Sequence, residues 1–556
     1  MRLLFTIFLL AMFSTAFAVL EIPNTQPKVH ADEWKWVLDS TWKGLKKRNI
    51  DDCRSKPIYR QNPNSPGGLI CRPKSETPYD AVSEGIGYGM LLALYSDDQK
   101  TFDLIYNAGK EFSLNFCQGW RKPANGDGTE SGSATDADED IALALIFADK
   151  LQKKGKWKSS SINYANDAQS AVDCVWGSMN NGLLWPGNSW QPGYNVGYFA
   201  PAWYKIFNDF DSQKRNWTNA VNRSYEFIKA NSSYDIGMVP DWNQTNGTPG
   251  LGGGAGYNGY NGGKTFFKDA IRILWRVAND AIWFNEPRAK EFLTKSLTFI
   301  KSKGGPDAAN FYQLEGANKG ELLPADDKWT QFNNSNTWRY RREHSWLTVG
   351  QWITAVMAVG TDEDKIAWSK KMAEFYEYDV NKDKNYKPDF FGLKEDPTKG
   401  NYETSRYEDT THNEMYFDQF LAWFGVSLMS GTWVNVVELL DRPVANTTGI
   451  LGSPFPELKP PPPPEPPEPP IEPPEPPESI MAKNYARFGI QVTQTGNGLR
   501  LQSKSDVTWK IHNLQGKLLF SSSSKEATWN SGNFKGTAVV SAASRSGSER
   551  KLTVVK

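Results

Sequence analysis

A proline-rich run near residue 460 is the feature that most constrains how this chain can fold. Residues 460–478 consist almost wholly of Pro and Glu. Proline lacks a backbone N–H and fixes its φ angle, so such a run fits neither a helix interior nor a central strand. It predicts an extended spacer of roughly 60 Å, at about 3 Å per residue. The chain is therefore expected to fold as two separate units.

The composition on either side of this spacer predicts four segments. Arg2, the apolar run 3–13 and the Ala-Phe-Ala at 16–18 are typical of a secretory signal. We therefore expect a signal peptide at 1–18, a large domain at 19–450, a Pro/Glu-rich linker at 451–478 and a small domain at 479–556. The protein is expected to be secreted, to the extracellular space or to a bacterial cell surface.

Four cysteines are an even number in a chain expected to be exported, which favours two disulfides over metal ligands. Four cysteines allow three pairings. We predict Cys53 with Cys71 and Cys117 with Cys174.

The charge balance argues against a nucleic-acid partner for the whole protein, because 63 basic residues match 63 acidic ones. From Ser479 onward, however, 12 Lys and Arg stand against 3 Asp and Glu, a net charge of +9. The chain also contains 22 Trp. Exposed Trp and Tyr rings can stack on the flat apolar faces of sugars, although aromatic core packing would equally use them.

Apolar periodicity between residues 79 and 448 predicts one helix after another, including Asp138–Lys150, Lys268–Phe284 and Tyr416–Leu428, with few strand signals. This pattern predicts an all-α domain in which helical hairpins form a barrel. Beyond the spacer, short alternating runs separated by Gly, Asn and Ser turns predict a small all-β domain.

The stretch Ser-Glu-Gly-Ile-Gly-Tyr-Gly-Met at 83–90 places Glu84 in the first turn of a glycine-rich helix. Glycine costs about 1 kcal/mol relative to alanine inside a helix, so these glycines need a reason. One reason is a tight crossing of two helices, and the other is room for a ligand. With the acidic residues described next, we favour room for a sugar chain beside Glu84.

Two further stretches carry acidic residues at helix starts. At 133–140 four acids precede an apolar helix, and capping accounts for only some of them, which leaves Asp136 and Asp138 as candidates to contact a sugar. At 269–280 Asp269, Arg272 and Arg276 fall on one helical face. These can be surface ion pairs, or Arg272 can keep Asp269 ionised as a base.

These stretches, in this order, resemble glycoside hydrolase family 8 over residues 32 to 431. Shorter supporting pieces are Gly-Trp at 119–120, the 198–204 segment, Val-Pro-Asp-Trp at 239–242 and Tyr-x-Asp at 416–418. The resemblance implies an (α/α)6 barrel, an inverting mechanism and β-1,4-glucan as the usual substrate. Asn-Val-Gly at 195–197 and the Gly-rich loop 249–264 depart from the family pattern, and both affect the expected substrate preference.

The resemblance also implies roles for individual residues. Glu84 would be the general acid, Asp269 the general base and Asp136 a carboxylate beside the scissile bond, and an inverting enzyme needs such a separated pair of acid and base. The further residues predicted to bind substrate are Asp138, Trp120, Trp190, Tyr204 and Arg272. The expected function is that of a secreted endo-β-1,4-glucanase. The alternatives are a xylanase, a lichenase or a chitosanase, or a non-catalytic glycan-binding protein.

No cofactor, metal or nucleotide is expected. The Gly-Lys-Thr at 263–265 lacks the first glycine of a phosphate-binding loop, and the calcium-like run 379–390 has Lys384 where that loop needs glycine. The predicted partner is a polysaccharide, and the protein is expected to be a monomer.

The turns at 513–517 and 529–532 and the ending 554–556 resemble bacterial type IX secretion sorting domains. Sorting or surface attachment is therefore favoured for the small domain. The competing interpretation is a carbohydrate-binding module with Trp509 and Trp529 as its platform.

Overall fold

The computed structural model describes residues 18–72, 79–189, 193–248, 265–266, 269–309, 312–322, 346–376, 391, 416–452, 490–495, 498–513, 517–532, 534–544 and 547–555. The chain divides into two compact units, Met1–Pro461 and Pro462–Lys556. The expected signal peptide and the proline-rich spacer lie outside the described residues, apart from Ala18 and the short 451–452 stretch.

The first unit is built from α-helices. In chain order they are α1 (Ala31–Leu45), α2 (Ser83–Tyr95), α3 (Gln99–Glu111), α4 (Thr135–Lys153), α5 (Tyr164–Gly177), α6 (Pro201–Phe210), α7 (Trp217–Lys229), α8 (Arg272–Trp283), α9 (Pro287–Ser302), α10 (Trp346–Val359), α11 (Asp362–Glu374), α12 (Tyr416–Ser430) and α13 (Val436–Asp441). Among the described residues, none of these helices is long and apolar enough to cross a bilayer.

Six helices form an inner ring. Helices α2, α4, α6, α8, α10 and α12 contact one another in that order, and α12 returns to contact α2. Each carries an outer partner: α3, α5, α7, α9 and α11 pack on the inner helix before them, and α1 packs on α12. The all-α prediction is confirmed, and the helices pair as the hairpins expected of a barrel.

The sequence distinguishes inner from outer helices. All fifteen residues of α12 are buried, and in α2 only Glu84 is partly exposed. A helix that is apolar on every side must be surrounded by protein. Outer helix α3 instead buries one stripe that includes Phe102, Ile105 and Tyr106, the three-to-four-residue spacing of a helix packed on one face.

Glycines let the inner helices approach closely. A Cβ on Gly87 would lie 3.1 Å from the carbonyl oxygen of Ala137 in α4, and Cβ atoms on Gly85 and Gly89 would lie 3.1 and 3.0 Å from the side chain of Ile70. The prediction that these glycines leave room for a sugar chain is therefore wrong. Neighbouring protein fills that space: Gly87 allows the close crossing of α2 and α4, and Gly85 and Gly89 leave room for Ile70.

Both predicted disulfides are confirmed. Cys53 is bonded to Cys71, and Cys117 is bonded to Cys174. The second bond joins the loop after α3 to helix α5.

Asp138 lies beside the second disulfide, where one of its carboxylate oxygens accepts the backbone N–H of Cys117 at 3.3 Å. In the described part of the chain, one group of side chains has the spacing of metal ligands: Cys117, Asp138 and Cys174. Its two cysteines are bonded to each other in a disulfide, so their sulfur atoms are not free thiolate ligands. Burial raises the pKa of Asp138 to about 7. The predicted substrate contact for Asp138 is wrong, because this buried carboxyl group faces a loop of the protein.

The second unit is a five-stranded antiparallel sheet. Its strands are β1 (Gln491–Thr495), β2 (Gly498–Asn513), β3 (Leu518–Asn530), β4 (Gly536–Ser544) and β5 (Gly547–Val555), arranged in the order β3-β2-β4-β5, with β1 also paired to β2. The predicted small β fold is thus observed. Trp509 and Trp529 are buried in its core, and the Trp509 indole donates to the Ser524 carbonyl at 2.9 Å. The alternative of an exposed Trp platform is therefore wrong.

We predict that Gly425→Ala destabilises the helical unit. A Cβ at Gly425 in α12 would lie 2.0 Å from the carbonyl oxygen of Gly350 in α10, so the two helices must separate. Overpacking of this kind should lower the free energy of unfolding by about 3 kcal/mol. The matched control is Gly177→Ala at the end of α5, where a Cβ meets no atom within 4 Å. Thermal unfolding followed by far-UV circular dichroism checks this, and equal stability of the two variants would contradict it.

We also predict that Asp138→Asn flattens the pH dependence of stability. A carboxyl group whose pKa is raised to about 7 in the folded state binds a proton that the unfolded chain has lost. Stability should therefore fall as the pH rises from about 4 to about 7. The neutral amide removes this loss, a difference on the order of 3 kcal/mol at pH 7.

Urea unfolding of both proteins across that pH range measures the effect. The control is Asp209→Asn, which changes an exposed carboxyl group. If Asp138→Asn follows the wild-type pH dependence, the buried carboxyl group is not the cause.

Candidate active site

The guanidinium of Arg272 joins three carboxyl groups from distant parts of the chain. Its Nη1 atom lies 2.8 Å from Glu84 Oε2 and 2.7 Å from Asp136 Oδ2, and its Nη2 atom lies 3.4 Å from Asp269 Oδ1. The three acids come from the start of α2, the start of α4 and the turn before α8. The structure therefore brings together Glu84, Asp136 and Asp269, the three acids for which the family resemblance implies roles at the scissile bond.

Glu84 is held at both oxygens of its carboxyl group. Oε2 accepts from Arg272, and Oε1 accepts from the hydroxyl of Tyr416, the first residue of α12. The Glu84 side chain keeps 16% of its surface exposed. A carboxyl group fixed at both oxygens and still open to solvent can exchange a proton with a bound molecule in a defined direction.

Asp136 is enclosed, with only 2% of its side chain exposed. Burial raises the pKa of Asp136 to about 7, and the neighbouring Glu84 charge adds to this shift while Arg272 opposes it. One guanidinium shared between Glu84 and Asp136 cannot fully neutralise both, so the pair favours keeping a proton near neutral pH.

Asp269 is the most exposed of the three acids, at 23% of its side chain. The predicted helix start at Lys268 is wrong, because α8 begins at Arg272 and Asp269 lies in the turn before it. Its backbone carbonyl accepts from Arg272 Nε at 3.2 Å. This placement keeps Asp269 next to Arg272 while its carboxyl group reaches solvent and can contact a water molecule.

A second ion pair lies one helical turn further along the same two helices. Arg276 in α8 binds Asp140 in α4, with Nη2 at 2.9 Å from Oδ2. Arg276, Asp140 and the adjacent Glu139 are all buried. The Trp203 indole also donates to Asp140 at 2.8 Å. Asp136 and Asp140 are four residues apart, as are Arg272 and Arg276, so the two pairs fix the register of α4 against α8.

The other residues predicted to bind substrate differ in how far they are exposed to solvent. Trp120 is only half-buried and can present part of its ring to solvent. Trp190 lies outside the described residues. Tyr204 is fully buried against Trp217, with ring centres 5.9 Å apart, so the predicted sugar stacking by Tyr204 is wrong. Arg272 is 2% exposed, so it binds the carboxyl groups instead of presenting a surface to substrate.

Three site residues had no role in the sequence analysis. Tyr416 binds Glu84, the Tyr198 ring lies 4.8 Å from the Arg272 guanidinium carbon, and Asp241 accepts the backbone N–H of Ala270. All three fall in the short segments that supported the family resemblance. Their positions in sequence were a signal, but their functions depend on contacts between distant segments.

Residues 58–303 match the family model described as glycosyl hydrolases family 8. Endoglucanase 2 of Ruminiclostridium josui is 40% identical over 253 residues, which is 44% of this chain and 52% of that protein. Endoglucanase A of Acetivibrio thermocellus is 34% identical over 330 residues, which is 56% of this chain and 64% of that protein. The chain thus spans between about half and two thirds of the length of these relatives.

Solved structures share the fold. A β-1,3-1,4-glucanase from Paenibacillus sp. X4 has a TM-score of 0.53 at 20% identity, covering 75% of this chain and 97% of that one. Rex8A from Paenibacillus barcinonensis, in complex with xylose, has a TM-score of 0.51 at 18% identity, covering 72% and 94%. The segment that matches the family model, residues 58–303, carries Glu84, Asp136 and Asp269.

Proposed function

We propose that this protein is an endo-β-1,4-glucanase that hydrolyses internal bonds of cellulose-type β-glucan with inversion at the anomeric carbon. The observation that carries the proposal is the binding of Glu84, Asp136 and Asp269 to one guanidinium, that of Arg272. Two relatives that are named endoglucanases and are 34 to 40% identical support the choice of substrate.

The proposed reaction is a single displacement. Glu84, protonated, gives its proton to the oxygen of the leaving sugar as the glycosidic bond breaks. Asp269, ionised, takes a proton from a water molecule whose oxygen attacks the anomeric carbon from the opposite face. Such a mechanism requires two carboxyl groups separated widely enough to hold the sugar and the water between them. Glu84 and Asp269 bind different nitrogens of Arg272, so their carboxyl groups meet the guanidinium at separate points.

Asp136 and Arg272 have supporting roles in this proposal. Asp136, predicted to lie beside the scissile bond, is too enclosed for broad sugar contact, so we assign it an electrostatic role. The Glu84–Asp136 pair keeps a proton near neutral pH, which is the proton that the proposed reaction requires. Arg272 contacts all three carboxyl groups and holds the acids in place.

A different polysaccharide is the alternative that the relatives raise. A reducing-end xylose-releasing exo-oligoxylanase of Halalkalibacterium halodurans is 26% identical over 261 residues, and the fold is shared with a β-1,3-1,4-glucanase. Rates on soluble cellulose derivatives, lichenan, xylan and chitosan separate these substrates. A protein that binds these glycans and hydrolyses none of them would instead be the non-catalytic alternative.

We further propose that the protein is secreted, and that the second unit serves sorting or attachment at the cell surface. The signal-like residues 1–18 and the net charge of +9 from Ser479 onward support this. Burial of Trp509 and Trp529 removes the main support for a carbohydrate-binding module.

We predict that Glu84→Gln and Asp269→Asn each lower kcat on a soluble β-1,4-glucan by about 10²- to 10⁴-fold, the usual contribution of a general acid or base. Both changes keep the size of the side chain and remove its ability to exchange a proton, so the barrel should remain folded by circular dichroism. Glu226→Gln and Asp209→Asn change exposed carboxyl groups in the same unit and are the matched controls. A wild-type rate for Asp269→Asn would refute its assignment as the base.

A further inference from the structure

Both polar atoms of the peptide group between Asp269 and Ala270 are bound by side chains. The carbonyl oxygen of Asp269 accepts from Arg272 Nε at 3.2 Å. The N–H of Ala270 donates to Asp241 Oδ1 at 2.8 Å. Because α8 begins only at Arg272, the backbone hydrogen bonds of that helix do not by themselves fix the position of Asp269.

Asp241 is well placed to fix this peptide group because it is itself held firmly. It is 1% exposed, and its own N–H donates to the Thr265 carbonyl at 3.2 Å. Two residues later, Asn243 exchanges two backbone hydrogen bonds with Tyr194, at 2.8 and 2.9 Å. The segment that carries Asp241 is thereby joined to the loop around residue 197.

Gly197 in that loop lies directly against the same peptide group. A Cβ at Gly197 would be 2.3 Å from the carbonyl oxygen of Asp269. The Asn195 side chain accepts the Gly197 N–H at 3.0 Å and holds the loop in place. Three chain segments, around residues 197, 241 and 270, therefore meet at the backbone of the proposed base.

We infer that Asp241 is a positioning residue that sets the location of the Asp269 carboxyl group by binding the adjacent Ala270 N–H. The inference rests on the proposed role of Asp269 as the base. If the Asp241 carboxylate is lost, the turn can rotate about the remaining Arg272 contact and the carboxyl group of Asp269 moves relative to the attacking water. A displacement of about 1 Å at a reacting group can cost about 10²-fold in rate.

The test compares kcat and KM of Asp241→Ala and Asp241→Asn on a soluble β-1,4-glucan. We expect Asp241→Ala to lower kcat about 10²-fold with little change in KM, because the contact acts on the base and not on the binding of the glucan chain. Asp241→Asn should recover most of the rate, since its amide oxygen can accept the same N–H.

The matched control is Asn216→Ala. The Asn216 side chain caps outer helix α7 by accepting the Asn219 N–H at 3.1 Å, so its loss removes a side-chain hydrogen bond to a backbone N–H that has no contact with the Asp269–Ala270 peptide group. It should lower thermal stability and leave kcat unchanged. An equal fall in kcat for Asn216→Ala would show a general effect of stability and overturn the positioning role.

Gly197→Ala is the second variant, and it tests the same peptide group if Asp241→Ala fails to fold. It should lower kcat because the added Cβ displaces the Asp269 carbonyl. The positioning role is overturned if folded Asp241→Ala or folded Gly197→Ala keeps the wild-type kcat while Asp269→Asn is inactive. That result leaves the proposed function intact. A rate for Asp241→Asn as low as that for Asp241→Ala overturns the hydrogen-bond explanation. An active Asp269→Asn refutes the proposed base itself.

Discussion

The contact between Arg272 and three carboxyl groups is the interaction on which the rest of the structure depends. Burying charges is costly unless each finds a partner, and removing one partner leaves the others uncompensated. Here the guanidinium is 2% exposed, Asp136 is equally enclosed, and Glu84 and Asp269 are open in part. The arrangement therefore fixes the acids by mutual charge while leaving two of them accessible. The fold of the first unit brings distant chain segments to the Arg272 guanidinium.

The acids reach Arg272 from distant parts of the chain because the starts of several inner helices meet at the site. Glu84 lies in the first turn of α2, Asp136 in that of α4, Arg272 begins α8 and Tyr416 begins α12. Free backbone N–H groups at a helix start favour nearby negative charge, so this end of the ring suits a group of acids. Close glycine crossings and the buried Asp140–Arg276 pair keep α2, α4 and α8 in register beneath the site. The same features that stabilise the ring thus determine the spacing of the acids.

The sequence predicted the helical class, the β unit, both disulfides and the three acids, because each depends on local patterns or on a family resemblance carried by short motifs. What it could not predict depends on contacts between distant segments. The glycines of 83–90 were equally consistent with a ligand or a helix crossing, and only the position of Ile70 and α4 decides for the crossing. Tyr204 has the composition of a stacking residue but packs against Trp217 in the core. Asp138 belongs to an acidic motif, yet it faces the Cys117 backbone.

The most direct test of the central claim, that Glu84 and Asp269 act on opposite faces of one sugar in a single displacement, is the anomeric form of the first product. A soluble β-1,4-glucan is hydrolysed in the spectrometer, and the anomeric protons of the new reducing ends are followed by NMR before mutarotation equilibrates them. Inversion requires that the α-anomer appears first and the β-anomer grows in later. If the β-anomer appears first, the configuration is retained, and the assignment of Asp269 as a base acting on water is contradicted.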